Sequence, residues 1–437
     1  MTGGAAVAIV GRAKKAASQM TERQRVLTLL SGGKPDRVPW YGDLDYWATA
    51  LIGRGERPAD FKTSDAYIDW HRELRVGFYL QGHFPFQTII ENCGVVEWRE
   101  GNARRRRIET PRGTLSETWT WLADSFAEAP TEHLVKGPAD LAAYRHLFEN
   151  TRYVRDYDLA WERRRQVGEA GVVLCYLPKS PLMQMVALDA GIAAVAEIAA
   201  DAPDELAETL AVVRGAHDVA AGLALNSPAE VLMIPENLSS EVVGPKFYER
   251  YMREYHETWC GEIAEAGKFS CIHLDGTLKG LLRQVASAGF NFIEAMTPAP
   301  VGDLAVEQWA EWCGSGRARG SAGRNGGTST GRSAGGGRGA GSSAGAIGGA
   351  GDGTRGGSGG GAAVGTSARS VFWGGLPGVY FTGQVSDAEF DRHTKAVLEV
   401  MRSEPRYVLG VADQVPPGGL ERRVRRVAEL ADEFGRY

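Results

Sequence analysis

The chain has 437 residues, 43% of them hydrophobic and 24% charged, and a formal net charge of -5. This balance is globular: it excludes a fibrous or wholly disordered chain, and the slight acidity argues against a nucleic-acid binder, which presents a strongly basic face. Glycine alone is out of proportion, and its excess is local, with 23 of the 57 glycines in residues 314–370.

The five cysteines (Cys93, Cys175, Cys260, Cys271 and Cys313) are odd in number and form no Cys-x-x-Cys pair. That argues against a disulfide framework or a zinc finger and leads us to expect a reducing, cytoplasmic setting. No run approaches the ~20 apolar residues of a membrane-spanning helix. Residues 1–19 are small and basic, and their apolar run precedes Arg12, Lys14 and Lys15 instead of following them. A secretory signal has the opposite order, so this stretch reads as a disordered leader or a misassigned start.

In chain order, residues 21–30 open with Thr-Glu-Arg-Gln, a capping-box start for a helix. Eight runs then read as strands: 38–42, 77–81, 172–177, 230–235, 269–274, 290–296, 371–374 and 407–412. Most are continuously apolar, as expected of parallel strands buried on both faces. Helical spacing recurs over 204–225, 245–266, 278–288, 387–403 and 420–434. Eight strands alternating with helices predict an α/β fold, a (β/α)8 TIM barrel over residues 20–437. The alternation breaks at 95–122, which predicts an antiparallel hairpin or small meander inserted after the second strand. Its four arginines, 104–107, are expected on a solvated hairpin edge, where charge discourages edge pairing; an anion contact is the other reading.

Residues 314–370 hold seven arginines, one acid (Asp352) and no aromatic residue. Such a segment buries too little apolar surface to offset its ordering entropy, so it is expected to be disordered. A true insertion and a compensated frame shift in a GC-rich gene both account for it. It falls between a helix and the seventh strand, on the barrel face opposite the active site, and is expected to be functionally silent. An arginine-glycine RNA-binding segment would need stacking aromatics that are missing here.

The run from Arg25 through Gly32-Gly33-Lys34-Pro35-Asp36-Arg37-Val38-Pro39 resembles the opening of the uroporphyrinogen decarboxylase superfamily. Gly267-Lys268 followed by His273-Leu274-Asp275-Gly276, then Phe292-Ile293-Glu294-Ala295-Met296, then Phe372-Trp373-Gly374-Gly375-Leu376-Pro377, are similar to its later strand ends. The resemblance covers 21–313 and 371–437 and implies a (β/α)8 barrel. It also implies one of two chemistries: decarboxylation of uroporphyrinogen, or methyl transfer between corrinoid proteins and thiols with a zinc ion. The decarboxylases carry Arg-Gln-Ala-Gly-Arg after the first strand, where this chain reads Trp40-Tyr41-Gly42-Asp43-Leu44-Asp45. An acidic strand end repels a substrate with eight carboxylates. Methyl transfer is therefore the leading expectation, with porphyrin biosynthesis and a non-catalytic small-molecule-binding barrel as alternatives.

The candidate site gathers at the strand ends. His273 and Asp275, two apart on a strand, point to one face. With Glu294 and Asp413 they are the expected ligands of Zn or another divalent metal, although Asp stands where the resemblance leads one to expect Cys. The alternative is that His273 and Asp275 bond substrate or each other without metal. Glu236 and Asp275 are the expected catalytic groups, and Tyr41, Asp43, Lys179 and Asn237 the expected substrate-binding ones; a helix N-cap is the other reading of Glu236-Asn237. A corrinoid on a partner protein is expected if the methyl-transfer reading holds. No nucleotide cofactor, nucleic acid or membrane is expected.

Overall fold

The computed structural model describes residues 19–79, 83–312, 370–404 and 406–437. Apart from Gln19 and Ser370, the expected leader and the glycine-rich segment lie outside these residues, as does Cys313. In chain order the strands are β1 (Phe78–Tyr79), β2 (Phe86–Ile90), β3 (Gly94–Glu100), β4 (Ala103–Thr110), β5 (Gly113–Leu122), β6 (Ala127–Glu132) and β7 (Thr151–Arg155). There follow β8 (Gly171–Val172), β9 (Leu174–Tyr176), β10 (Val231–Leu238), β11 (Phe269–Leu274), β12 (Phe292–Met296), β13 (Val371–Pro377) and β14 (Tyr407–Ala412). The fold is mixed α/β, organised on a parallel sheet of six strands in the order β9-β10-β11-β12-β13-β14. β1 and β8 form a separate parallel pair, and only Val173 separates β8 from β9.

The first expected strand, 38–42, is not a regular one. Trp40 makes a single parallel bridge to Leu409. Around it, Tyr41 N–H donates to the Leu409 carbonyl at 3.0 Å, Leu409 N–H to that of Pro39 at 2.9 Å, and Gly77 N–H to that of Trp40 at 2.8 Å. The run is thus bonded on one side to β14 and on the other to the residue before β1.

Alternate residues of these runs go to two separate cores. Tyr41, Tyr79, Leu174, Met233, Cys271, Phe292, Trp373 and Val408 share one small cluster. Their neighbours Trp40, Phe78, Cys175, Leu232, Ile272, Ile293, Phe372 and Leu409 join the large core with the helices. Period-2 geometry makes this division, and burial of both faces explains why the runs lack polar alternation. The helix Glu22–Leu30 opens on Thr21 with both capping-box bonds formed, and its Val26 and Leu29 pack into the smaller cluster.

Two expectations about local structure need correction. The 245–266 helix is two helices, Pro245–Tyr251 and Arg253–Glu265, broken at the fully buried Met252. The inserted segment takes the meander form of the two expected, a four-stranded antiparallel sheet, β3-β4-β5-β6, accompanied by a ribbon of β2 and β7. Residues 104–107 therefore occupy β4, an inner strand and not an edge. Cross-strand carboxylates make this tolerable: Arg104 pairs with Glu128, Arg105 with Glu100 and Arg106 with Glu117. Among the described residues no helix is long and apolar enough to cross a membrane.

Candidate active site

The parity that sorts the core also sorts the polar residues at the strand ends. His273 follows Cys271 by two on β11, and Glu294 follows Phe292 by two on β12. Each thus continues the face of the smaller cluster. Glu236 has the opposite parity.

β11 and β12 pair with His273 beside Glu294. His273 Nδ1–H donates to Glu294 Oε2 at 2.6 Å, and its Nε2 faces Asp413 Oδ1 at 3.8 Å, beyond hydrogen-bond reach. The pair is 13% and 2% exposed, whereas Asp413 is 58% exposed and opens the site to solvent. Burial works against the imidazolium, but the charge and hydrogen bond of Glu294, aided by Asp275 and Asp413, prevail and raise His273 to about 9. Burial likewise pushes Glu294 up, against the pull of His273. Together the two groups hold a proton past neutrality.

The surrounding acids share this field. Asp43, 4% exposed, is pushed well up by burial and then by Asp45, with Glu294 and Asp413 adding to it. Its Oδ1 accepts from Asp45 N–H at 2.7 Å. Burial also raises Asp413, against His273. Asn237, Ala295 and Asp413 have φ of 52°, 65° and 70°, a left-handed conformation costly for residues with a side chain. All three lie at the C-terminal ends of β10, β12 and β14, and strained backbone gathered at one end of a sheet points to a functional site there.

The expected ligand set of His273, Asp275, Glu294 and Asp413 takes a different form. Among the described residues, no group of three or more His, Cys, Asp or Glu is placed to hold a metal ion. His273 and Glu294 form a hydrogen-bonded pair flanked by two acids, Asp275 and Asp413.

Glu236 lies within β10, not at a helix N-cap, and is fully buried. Its carboxylate accepts from Ser180 N–H at 3.0 Å and from His256 Nε2–H at 2.7 Å. His256 Nδ1 meets the Tyr248 hydroxyl at 3.1 Å. The expected catalytic carboxylate therefore anchors the segment after β9 and the helix Arg253–Glu265 to the sheet, on the side away from His273. Tyr41 is 1% exposed and stands in the smaller cluster edge-on to Trp373, so it is a core residue and not a substrate contact. Lys179 is 9% exposed; its ammonium donates to the Pro235 carbonyl and to Asn237 Oδ1. Burial lowers its pKa, opposed by Glu236 and Asp275.

A cavity of about 360 Å³ lies beside this site, with Lys179 in its wall. Sequence reasoning missed both the cavity and His256, Ser180 and His217, since nothing local marks them: His256 is 20 residues from Glu236 and His217 is 38 from Lys179, whose carbonyl it bonds.

No protein-family model matches the chain, and no curated protein does. Among solved structures, it is similar to a methyltransferase from Methanosarcina mazei, with 13% sequence identity and a TM-score of 0.54 over 95% of this chain and 99% of that one. At that identity the likeness concerns the fold.

Proposed function

We propose that the chain is a methyltransferase-like enzyme whose strand runs form a closed eight-stranded ring, with its site at the C-terminal ends of the strands. The single inner cluster fed by all eight runs supports the ring, as do the backbone bonds of 39–41 to Leu409 and of Gly77 to Trp40. Active sites of such barrels lie at this end. A solved structure that resembles this chain along nearly its whole length is a methyltransferase, which agrees with the uroporphyrinogen decarboxylase-like motifs and with the lack of first-strand arginines.

The observation that carries the chemistry is the His273–Glu294 pair. Glu294 fixes the ring through Nδ1–H, leaving Nε2–H directed at Asp413 and the open side of the site. A histidine still protonated at neutral pH is a general acid. When the bond from a methyl group to its donor heteroatom breaks, the heteroatom keeps the electron pair and takes the Nε2 proton, while the acceptor forms the new bond to carbon. Asp413 and Asp275 stabilise the imidazolium before this transfer. On the sequence resemblance, the acceptor is a corrinoid carried by a separate protein. No step here is routed through a metal; among the described residues no group of three or more His, Cys, Asp or Glu is placed to hold one.

The test uses the full chain with free reduced cobalamin and a panel of methyl ethers, thioethers and methylamines, reading release of the demethylated donor. Wild type should turn over at least one donor class. His273→Asn, whose amide nitrogen overlays Nδ1 and keeps the bond to Glu294, should not. Turnover unaffected by this substitution would remove His273 from the chemistry. Decarboxylation of uroporphyrinogen, with no methyl release from any donor, would overturn the reading.

A further inference from the structure

The cavity beside the site has a defined chemistry. One wall is the β2–β7 ribbon, whose register sets Thr88 opposite Tyr153 and Ile90 opposite Thr151. Phe86, Thr88 and Ile90, two apart on β2, and Thr151 and Tyr153 on β7 all line the cavity. The rings stand edge to face: Phe86 and Tyr153 have centroids 5.4 Å apart at 84°, and across the cavity Phe148 meets His217 at 5.7 Å and 68°. These edge-to-face rings give the cavity an aromatic lining against which a further ring can pack.

His217 supplies the polar handle. It lies in the helix Pro203–Leu225, is 3% exposed, and lines the cavity. Its Nδ1 is 2.9 Å from the Lys179 carbonyl, which only accepts, so Nδ1 carries the hydrogen and Nε2 the lone pair. Burial lowers its pKa to about 4, so Nε2 is unprotonated at neutral pH. Among the described residues Nε2 has no hydrogen-bond partner. A second acceptor, Asp189, sits in the same wall with Oδ2 held by the Tyr144 hydroxyl at 2.6 Å and Gln184 at 2.9 Å. A concave, half-open site with aromatic walls and an unfilled acceptor is complementary to a flat ligand that donates.

We infer that this cavity binds a planar aromatic molecule carrying one hydrogen-bond donor, its ring against Phe86, Phe148 and Tyr153 and its N–H or O–H on His217 Nε2. The volume, about 360 Å³, accommodates one or two fused rings. Lys179 links this cavity to Asn237 at the strand ends. Treating such a molecule as the substrate rests on the methyl-transfer reading; its binding does not.

Calorimetric titration of the full chain with indole, benzofuran and cyclohexylmethanol tests the inference. Indole and benzofuran have the same shape but only indole donates; cyclohexylmethanol donates but is not flat. One hydrogen bond should make indole bind about three- to tenfold tighter than benzofuran, and tighter than cyclohexylmethanol. His217→Asn retains a donor for the Lys179 carbonyl and removes the Nε2 acceptor, so it should bring indole and benzofuran level. Phe84→Ala, at a cavity residue 40% exposed and safe for folding, should weaken both aromatic probes alike. The inference is overturned by no indole binding up to its solubility limit, by equal binding of indole and benzofuran to wild type, or by an aliphatic alcohol binding as well. His273→Asn should leave indole binding unchanged, so a failure of the catalytic reading is told apart from a failure of this one.

Discussion

Two glutamate–histidine pairs, Glu236 on β10 with His256 on the helix Arg253–Glu265 and His273 on β11 with Glu294 on β12, differ in what the second ring nitrogen meets. Glu236 and His256 are 2.7 Å apart and wholly buried; His256 ends on Tyr248 and Glu236 also takes Ser180 N–H. Glu294 and His273 are as close, 2.6 Å, but Nε2 of His273 faces the open side of the site past Asp413. The first pair has every polar group satisfied and ties a helix to the sheet. The second retains a proton with somewhere to go. The same two residue types thus serve anchoring on the outer face of the strands and, in the proposed function, proton donation on the inner one, and strand parity separates the two glutamates.

The comparison is broken most directly by exchanging the two outcomes. His273→Asn should lower turnover about 10²- to 10⁴-fold, the usual worth of a general acid, with the melting temperature little changed. Glu236→Ala should do the reverse, costing about 3–5 kcal/mol of stability by stranding His256 and the Ser180 N–H in the interior. Chemical denaturation measures it. Glu236→Met combined with His256→Leu should recover only part of that loss, because it removes the buried histidine with its carboxylate but leaves the Ser180 N–H and the Tyr248 hydroxyl without partners.

A subtler difference is the response to pH. His273 binds its proton more tightly in the folded chain, about 9 against 6.5 unfolded. The stability this contributes is fully present below pH 6.5 and is lost as pH rises through about 9. Denaturation midpoints followed across this window should fall in wild type and fall less in His273→Asn. An equal fall in both proteins would locate the titration elsewhere.

The smallest expected effect is none. Because no group of three or more His, Cys, Asp or Glu among the described residues is placed to hold a metal ion, added Zn, Mn or Fe salts should leave the melting temperature of the chelator-treated protein unchanged. A metal-dependent rise that disappears in Glu294→Gln would show the four expected ligands rearranging into a metal site, and would place the second pair among metal centres.

The amino-acid sequence by itself determined the parallel strands and the helices between them, because strands buried on both faces are continuous apolar runs and helices repeat their apolar residues every three to four positions. It also placed His273 and Asp275 on one face of a strand end, since side chains alternate along a strand. The same rule, applied from Met233, would have turned Glu236 outward. Only the tertiary structure decided what that carboxylate meets, because His256 and Ser180 reach it from a helix and a loop distant in the chain. Only it showed residues 104–107 on an inner strand, since β5 and β6 must both pair before β4 ceases to be an edge. The cavity was equally out of reach: β2 and β7 are separated by the whole antiparallel sheet, and Phe148 and His217 lie on different helices. Local periodicity fixes which way a side chain points, whereas the partner it finds there depends on how distant segments pack.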